Sequence, residues 1–521
     1  MFLLSTWVLA LDVFVLCLFL TIIKWKRFLV TTLFGYQHPY PPGPPSRSWI
    51  WGNYADLSAG NQVNVYAEWF KQYGDVVHFR TFNEHFILVS SREAATEIFE
   101  KRSNNYSSRT FPKMAELMGW HFLTGFKPYG ERWRAERRLL QQHFKPEAIP
   151  RYFEIMEQKI NVMLRQLLTD PDRFRDHIRN LSGAIIMSTV YDYELSPHGD
   201  AYVKIAEESL ERLGEATFAG AMLVNSLPFL RHLPGWLPGC GFHRYAQNTK
   251  VMTDQMLNDP LTLVEKRMAS GIAHPCIAAE LLVNPVSPIQ YIDIKNVCGT
   301  SYAAGADTTV SATSTFFYAM ANHYDVQLKA QAEIDDLIGR DRLPCLEDRA
   351  ALPYAEALYR EILRWQPVVP LSIFHASRDD DIYKGYYIPK GATVIPNIRA
   401  MSRDSTRYVD PESFNPSRFI KDNGTLNDDD VNYTFGFGRR ICPGRHFASA
   451  TLWLSIVRVL YLFDIRRKKD VFGNEIPVNS GYTPSLVTHP LPFECSITPR
   501  SHSAHMMLFE AITEKFSDFK M

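Results

Sequence analysis

The chain has 521 residues, of which 46% are hydrophobic and 13% aromatic, enough for a large packed core and too apolar for a disordered protein. Lys plus Arg equals Asp plus Glu at 56 each, and no basic stripe with interleaved aromatics stands out, which argues against a nucleic-acid partner. Seven scattered cysteines without a CxxC pair argue against a disulfide framework or a cysteine-rich zinc site and fit a reducing compartment.

In chain order, residues 2–23, FLLSTWVLALDVFVLCLFLTII, are apolar over a length that crosses a bilayer of about 30 Å, with Asp12 the one charge. Lys24, Lys26 and Arg27 follow the segment and no basic residue precedes it. That order predicts a retained transmembrane anchor rather than a cleaved signal, with the body on the cytoplasmic side. Residues 24–49 form a basic and proline-rich stem whose five prolines between Pro39 and Pro45 predict a stiff extended link. The main domain is expected over 50–500, mainly α with a small β region, followed by an extension, 501–521, of no assignable role.

Within that domain, residues 74–91 read as two short strands around a polar turn. Amphipathic helical patterns run from Arg92 to about Asp336, broken at Pro112, Pro128, Pro146, Pro197 and the loop-rich stretch 228–241. One uninterrupted helical pattern extends from about 289 to 323. Strand-like alternation returns at 383–398, with Pro-Lys-Gly as its turn, helix at 445–463, and alternation again after Pro492.

The stretch that carries chemistry is FGFGRRICPGRHFASA, residues 435–450. Pro443 is suited to the first position of a helix, which predicts Cys442 as the capping residue, its thiolate held by the positive end of the helix dipole. Gly436, Gly438 and Gly444 take side chains away from the approach, as a backbone close to a planar ligand requires. Arg440 offers a cation to an acidic group on that ligand. With Phe435 first, the segment reads F-x-x-G-x-R-x-C-x-G.

This segment resembles the haem-binding loop of the cytochrome P-450 superfamily, the haem-thiolate monooxygenases. The resemblance runs from the anchor and stem to the final strands, and implies the fold of that family in one large two-lobed domain. It implies haem b, with Cys442 as axial thiolate ligand of the iron and Arg440 as a propionate partner. It also implies a distal site in AAGADTT, residues 303–309, where Asp307 and Thr308 are the catalytic acid and alcohol that deliver protons for dioxygen activation. There Gly305 and Ala306 leave room beside the helix, and the Thr308 hydroxyl can turn to a carbonyl one turn back. Trp133 and Arg137, four apart on one helical face in WRAER, are implied propionate partners, as is His375. Glu361 and Arg364 in EILR, with Arg418 in FNPSRF, match the family's buried ionic network near the thiolate loop.

By the same resemblance, electrons come from NADPH through a separate membrane-bound reductase docking near Cys442, with Arg439, Arg445 and His446 at hand. The substrate pocket is expected to include parts of 110–126, Tyr302, Ala303, Val368–Ser372 and Ser485–Val487, suited to a lipophilic molecule. The body resembles fungal microsomal members, which implies an endoplasmic reticulum membrane location and a terpenoid-like or polyketide-like intermediate of secondary metabolism as substrate. Two other classes stay open: a haem-thiolate isomerase or peroxygenase that does not use dioxygen, and a non-catalytic membrane haem protein.

Overall fold

The computed structural model describes residues 38–58, 62–196, 199–217, 222–283, 288–339, 342–478 and 481–500. The segment read as an anchor, the first part of the stem and the extension from Ser501 lie outside these residues. Among the described residues no helix is long and apolar enough to cross a membrane.

The fold is mainly helical with small β-sheets. Four strands form the principal sheet in the order β1-β2-β6-β3: β1 Val76–Thr81, β2 Glu84–Val89, β3 His375–Ala376 and β6 Thr393–Pro396. The first two are the antiparallel hairpin read from 74–91, with Thr81 opposite Glu84. β2 then runs parallel to β6, Phe86 opposite Thr393, although more than 300 residues separate them in sequence. Alternate residues of the sheet enter two different cores. Ile87, Val89 and Val394 join the main helical core, while Phe86, Leu88 and Ile395 pack with Tyr66 and Trp69 of helix Gln62–Tyr73. Burial on both faces explains the dense apolar runs of these strands. The strands Asp381–Tyr383 (β4) and Tyr386–Ile388 (β5) form a small hairpin, and Phe463–Arg467 (β7) pairs with Cys495–Pro499 (β8).

The described part of the stem does not hang free. Tyr387 donates its backbone N–H to the Pro39 carbonyl at 2.8 Å, His78 donates to Pro42 at 3.0 Å, and the Tyr40 ring stacks on His78 at 4.5 Å. Gly43 passes so close that a Cβ there would lie 1.8 Å from the His78 carbonyl oxygen. The prolines therefore cover the open edge of β1, as well as stiffening the chain.

Five helices position the site: α1 Glu131–Phe144, α2 Phe174–Tyr191, α3 Pro288–Asn322, α4 Pro353–Trp365 and α5 Arg445–Leu462. α3 is the uninterrupted pattern of the sequence, 35 residues and so about 52 Å long. It has apolar residues on every side because it is surrounded. α2 lies antiparallel to it. Ser182 donates to the Gly305 carbonyl at 2.8 Å, a Cβ on Gly305 would lie 2.8 Å from Ile186, and Phe174 meets Phe317 at 5.4 Å. The small residue at 305 thus gives the bulky Ile186 the room beside the helix that the sequence leads one to expect, and it also lines the cavity described below. Ala306 packs against the core.

Candidate active site

One cavity of about 320 Å³ gathers residues from Arg109 to Leu452. The loop before α5 contributes Phe435, Gly436, Cys442, Pro443 and Gly444, and α3 contributes Ser301, Ala304, Gly305, Thr308, Thr309 and Ala312. Arg109, Trp133, Arg137 and Arg440 complete it at a cationic edge.

The loop is closed by the Cys442 N–H donating to the Phe435 carbonyl at 2.9 Å. Its geometry corrects two expectations. Helix α5 starts at Arg445 with Gly444 as its cap, so Pro443 and Gly444 form a turn and Cys442 lies two residues outside the cap. The Gly444 N–H still reaches the sulfur, and Arg137 and Arg445 add positive charge. Burial outweighs all three and pushes the thiol up from its ordinary pKa. Gly438, for its part, does not line the cavity. It has φ +53°, and a Cβ on it would lie 2.2 Å from the Phe99 carbonyl oxygen, so it fits the loop against the helix turn Thr96–Lys101. At Gly436 and Gly444 the nearest atoms to an added Cβ are 4.0 Å away, so the open space expected there is present.

Arg440 lies buried over the Trp133 ring, its guanidinium 4.1 Å from the centroid. Its Nε donates to the Ser107 carbonyl at 2.6 Å and one Nη to Lys127 at 2.7 Å, while the other Nη has no partner. Burial and the neighbouring Arg137 bring its pKa down to about 9. Arg109, absent from the sequence-derived candidates, is buried beside it. It donates to the Ile373 carbonyl, its Nε is unpartnered, and burial holds its pKa well below the ordinary value, with the charge of Arg440 adding to the effect. Nothing in the spacing of SSRTFP marks this arginine out.

His375 is set behind the wall. Its Nδ1 donates to the Tyr106 carbonyl at 2.6 Å and its ring packs on Phe99. Burial lowers its pKa well below 6.5, and the charge of Arg109 acts in the same direction. The bond from Nδ1 to Tyr106 fixes the plane of the ring.

On α3, the Thr308 hydroxyl donates to the Ala304 carbonyl at 2.7 Å, the back-bond expected for it. Asp307 points away from the cavity and pairs with His489. The cavity wall takes Ser301 and Ala304 rather than Tyr302 and Ala303, which are buried in the core, with the Tyr302 hydroxyl donating to the Tyr202 carbonyl at 2.6 Å. Thr124, Gly125, Val368, Val369 and Ser372 line it as expected, whereas 485–487 do not; Ser485 lies against Gly214 instead.

The third group of candidates forms a compact network. Arg364 donates to both oxygens of Glu361 at 2.6 and 2.8 Å, both side chains fully buried, and Arg418 reaches the same carboxylate at 3.3 Å. Arg364 continues to the carbonyls of Ser402 and Pro411, tying α4 to the segment before the thiol loop.

Among the described residues no carboxylate lines the cavity, yet three guanidiniums do, two with buried N–H groups that no described protein atom accepts. A flat ligand carrying carboxylates at one edge and taking one sulfur ligand fits this donor set, and haem has that shape and chemistry.

A sequence model of the family described as "Cytochrome P-450" matches residues 41–496. The chain is 41% identical over 475 residues to cytochrome P-450 monooxygenase 208 of Postia placenta, covering 90% of this chain and 92% of that protein. It is 38% identical over 481 residues to cytochrome P-450 monooxygenase COX2 of Coprinopsis cinerea, covering 90% and 91%. With cytochrome P-450 monooxygenase ppsD of Aspergillus oryzae the identity is 36% over 488 residues, covering 91% and 92%.

Proposed function

Because the chain belongs to the cytochrome P-450 family and is a monooxygenase, hence an oxidoreductase, we propose that Cys442 is the thiolate ligand of its haem iron and that its substrate is a lipophilic molecule. The observation that carries this reading is the coincidence, in one cavity, of the only cysteine on its wall, the Thr308 hydroxyl, and three arginines with no facing carboxylate.

Thiolate-ligated haem, when bound, supplies the redox chemistry by which one atom of dioxygen enters the substrate and the other leaves as water. The protein's part is to hold, orient and protonate. Arg109, Arg137 and Arg440 take the haem carboxylates, with Trp133 stacked under Arg440 to fix its plane. Thr308 spends its proton on the Ala304 carbonyl, leaving its oxygen to accept from water in the cavity. Ile185, Ile186, Val368, Val369 and Ile373 keep bulk water out and offer the substrate apolar surface.

The finer reading rests on the apolar wall and on the fungal relatives. The substrate is a terpenoid-like or polyketide-like intermediate of secondary metabolism. Electrons come from NADPH through a separate reductase, and residues 2–23 anchor the enzyme in the endoplasmic reticulum membrane. The central test is spectroscopic. Reduced wild-type protein under carbon monoxide should show the strongly red-displaced Soret band of thiolate ligation. Cys442→Ser should lose that band, and its persistence would refute the ligand assignment.

A further inference from the structure

Asp307 is held from outside the cavity by a segment near the end of the chain. His489 Nε2 lies 3.0 Å from Asp307 Oδ1, and each side chain keeps about a quarter of its surface exposed. The contact is built rather than incidental. Tyr482 bridges Pro490, Thr483 donates its N–H to the His489 carbonyl at 2.9 Å, and the His489 N–H donates to the Thr483 hydroxyl at 2.9 Å. One turn along α3 from Asp307, the Ser311 hydroxyl donates to the Thr488 carbonyl, and the Thr488 N–H donates to Val368 at 3.0 Å. The hairpin is thus fastened to α3 and to the cavity wall through Thr488, the residue just before the histidine.

The surroundings isolate this pair. Residues 302–318 of α3 contain no charged side chain except Asp307, residues 481–490 none but His489, and the facing loop 366–373 none at all. On α2, Arg175, Asp176 and Arg179 lie in the first two turns, at the end near Phe317 rather than Gly305. Tyr482, the other titratable group of the hairpin, is raised by burial and stays neutral. Among the described residues no other cation is within ion-pair distance of Asp307.

We propose that His489 is the positioning and proton-supplying partner of Asp307. The proton path then runs from solvent to His489, to Asp307, and on to the Thr308 side of α3. In the transfer the imidazolium gives its Nε2 proton to Asp307 Oδ1, keeps the proton on Nδ1, and regains one from water. The carboxylic acid so formed turns from His489 toward Thr308, gives its proton to a water held at the Thr308 hydroxyl oxygen and returns to the carboxylate, and no electrons move. This rests on the reading of the cavity as a haem-thiolate site.

The test uses full-length, haem-loaded enzyme supplied with reductase and NADPH, every rate being normalised to haem content. His489→Ala and His489→Gln should each raise the peroxide released per NADPH oxidised by about threefold or more and enlarge the solvent deuterium isotope effect on oxygen consumption, as loss of a proton-transfer group demands. Glutamine retains a hydrogen bond to Asp307 but passes no proton. A His489→Gln enzyme with wild-type peroxide release and isotope effect would reduce His489 to a prop and overturn the proposal. A second readout needs no turnover. In the diamagnetic ferrous carbon monoxide form, the ¹⁵N resonance of His489 Nε2 should move on Asp307→Asn, and an unmoved resonance would deny the pairing. Should the alanine variant fail to load haem, the glutamine and Asp307→Asn variants carry the test. Failure of the haem-thiolate reading would show separately, as a missing red-displaced Soret band in the wild type.

Discussion

Arg109 is a guanidinium buried without a counter-ion, and what it costs the fold is what it offers a ligand. Replacing even a buried ion pair by apolar side chains of similar volume is often neutral or stabilising by about 1–4 kcal/mol, and a buried cation without a partner has less attraction to lose. Arg109→Met should therefore raise the thermal midpoint of protein prepared without haem while hastening haem loss from the loaded enzyme. A fall in both would show that Arg109 is a structural residue. Glu361 presents the opposite case, since it is the anion that Arg364 and Arg418 share and it also accepts the Asn415 N–H at 2.7 Å. Glu361→Ala leaves two buried cations uncompensated and should cost about 3–5 kcal/mol. Differential scanning calorimetry and the yield of haem-loaded protein check this, and normal values would remove the network from any role in supporting the loop. Cys442, Arg440 and Thr308 were legible at this scale because their motifs constrain several positions at once. Arg109 was not, because a lone arginine in a loop becomes a site residue only through contacts that sequence spacing does not record.

At the level of elements, the thiol loop is shaped as much by what it leans on as by its own residues. Gly438 adopts a left-handed conformation against the Phe99 carbonyl, where a side chain has neither a favourable dihedral nor space. Gly438→Ala should cost about 1–2 kcal/mol from the dihedral alone, with the clash adding to it. The expected readout is a lowered urea midpoint together with a broadened, partly shifted carbon monoxide band; an unchanged midpoint would mean that the loop moves away at no cost. The extent of α3 could be read from a long run without proline and the two strands of 76–89 from alternation, both of which depend on neighbours close in sequence. The start of α5 could not, because proline tolerates both the first helical position and the turn before it. The choice of wall residues on α3 also failed by one position. A helix buried on every side has no polar stripe to mark which face meets the cavity.

For the molecule as a whole, buried neutral histidines set the acid limit of stability. His78, whose Nε2 is 2.9 Å from His85 Nδ1, is lowered to about 3, first by burial and then by the charges of His85 and Arg80; His375 is lowered well below 6.5, again chiefly by burial. The unfolded chain takes up these protons near pH 6.5 and the folded chain does not, so stability is lost as pH falls below about 6.5. The loss is about 1.4 kcal/mol per pH unit per histidine, and for His78 it continues to about pH 3. Urea midpoints at about pH 7.5 and about pH 5.5 should show this fall, and His78→Gln should make it shallower by one histidine's share. Equal midpoints at the two pH values would contradict the burial of these rings. The docking of the prolines onto β1 belongs to this scale too, and their composition could announce stiffness but not what they would lie against.

The hairpin that brings His489 to α3 is bonded through Thr488 to Ser311 and Val368, and the β8 strand that follows it pairs with β7 within the last residues the structure describes. Translation therefore supplies every residue of the cavity wall, from 109 to 452, before it reaches His489. A premature stop codon a few dozen residues from the end would leave every motif of the thiol loop intact and still strip α3 of its covering segment. Screens for function in truncated transcripts should accordingly count such messages as nulls, however complete their open reading frames look.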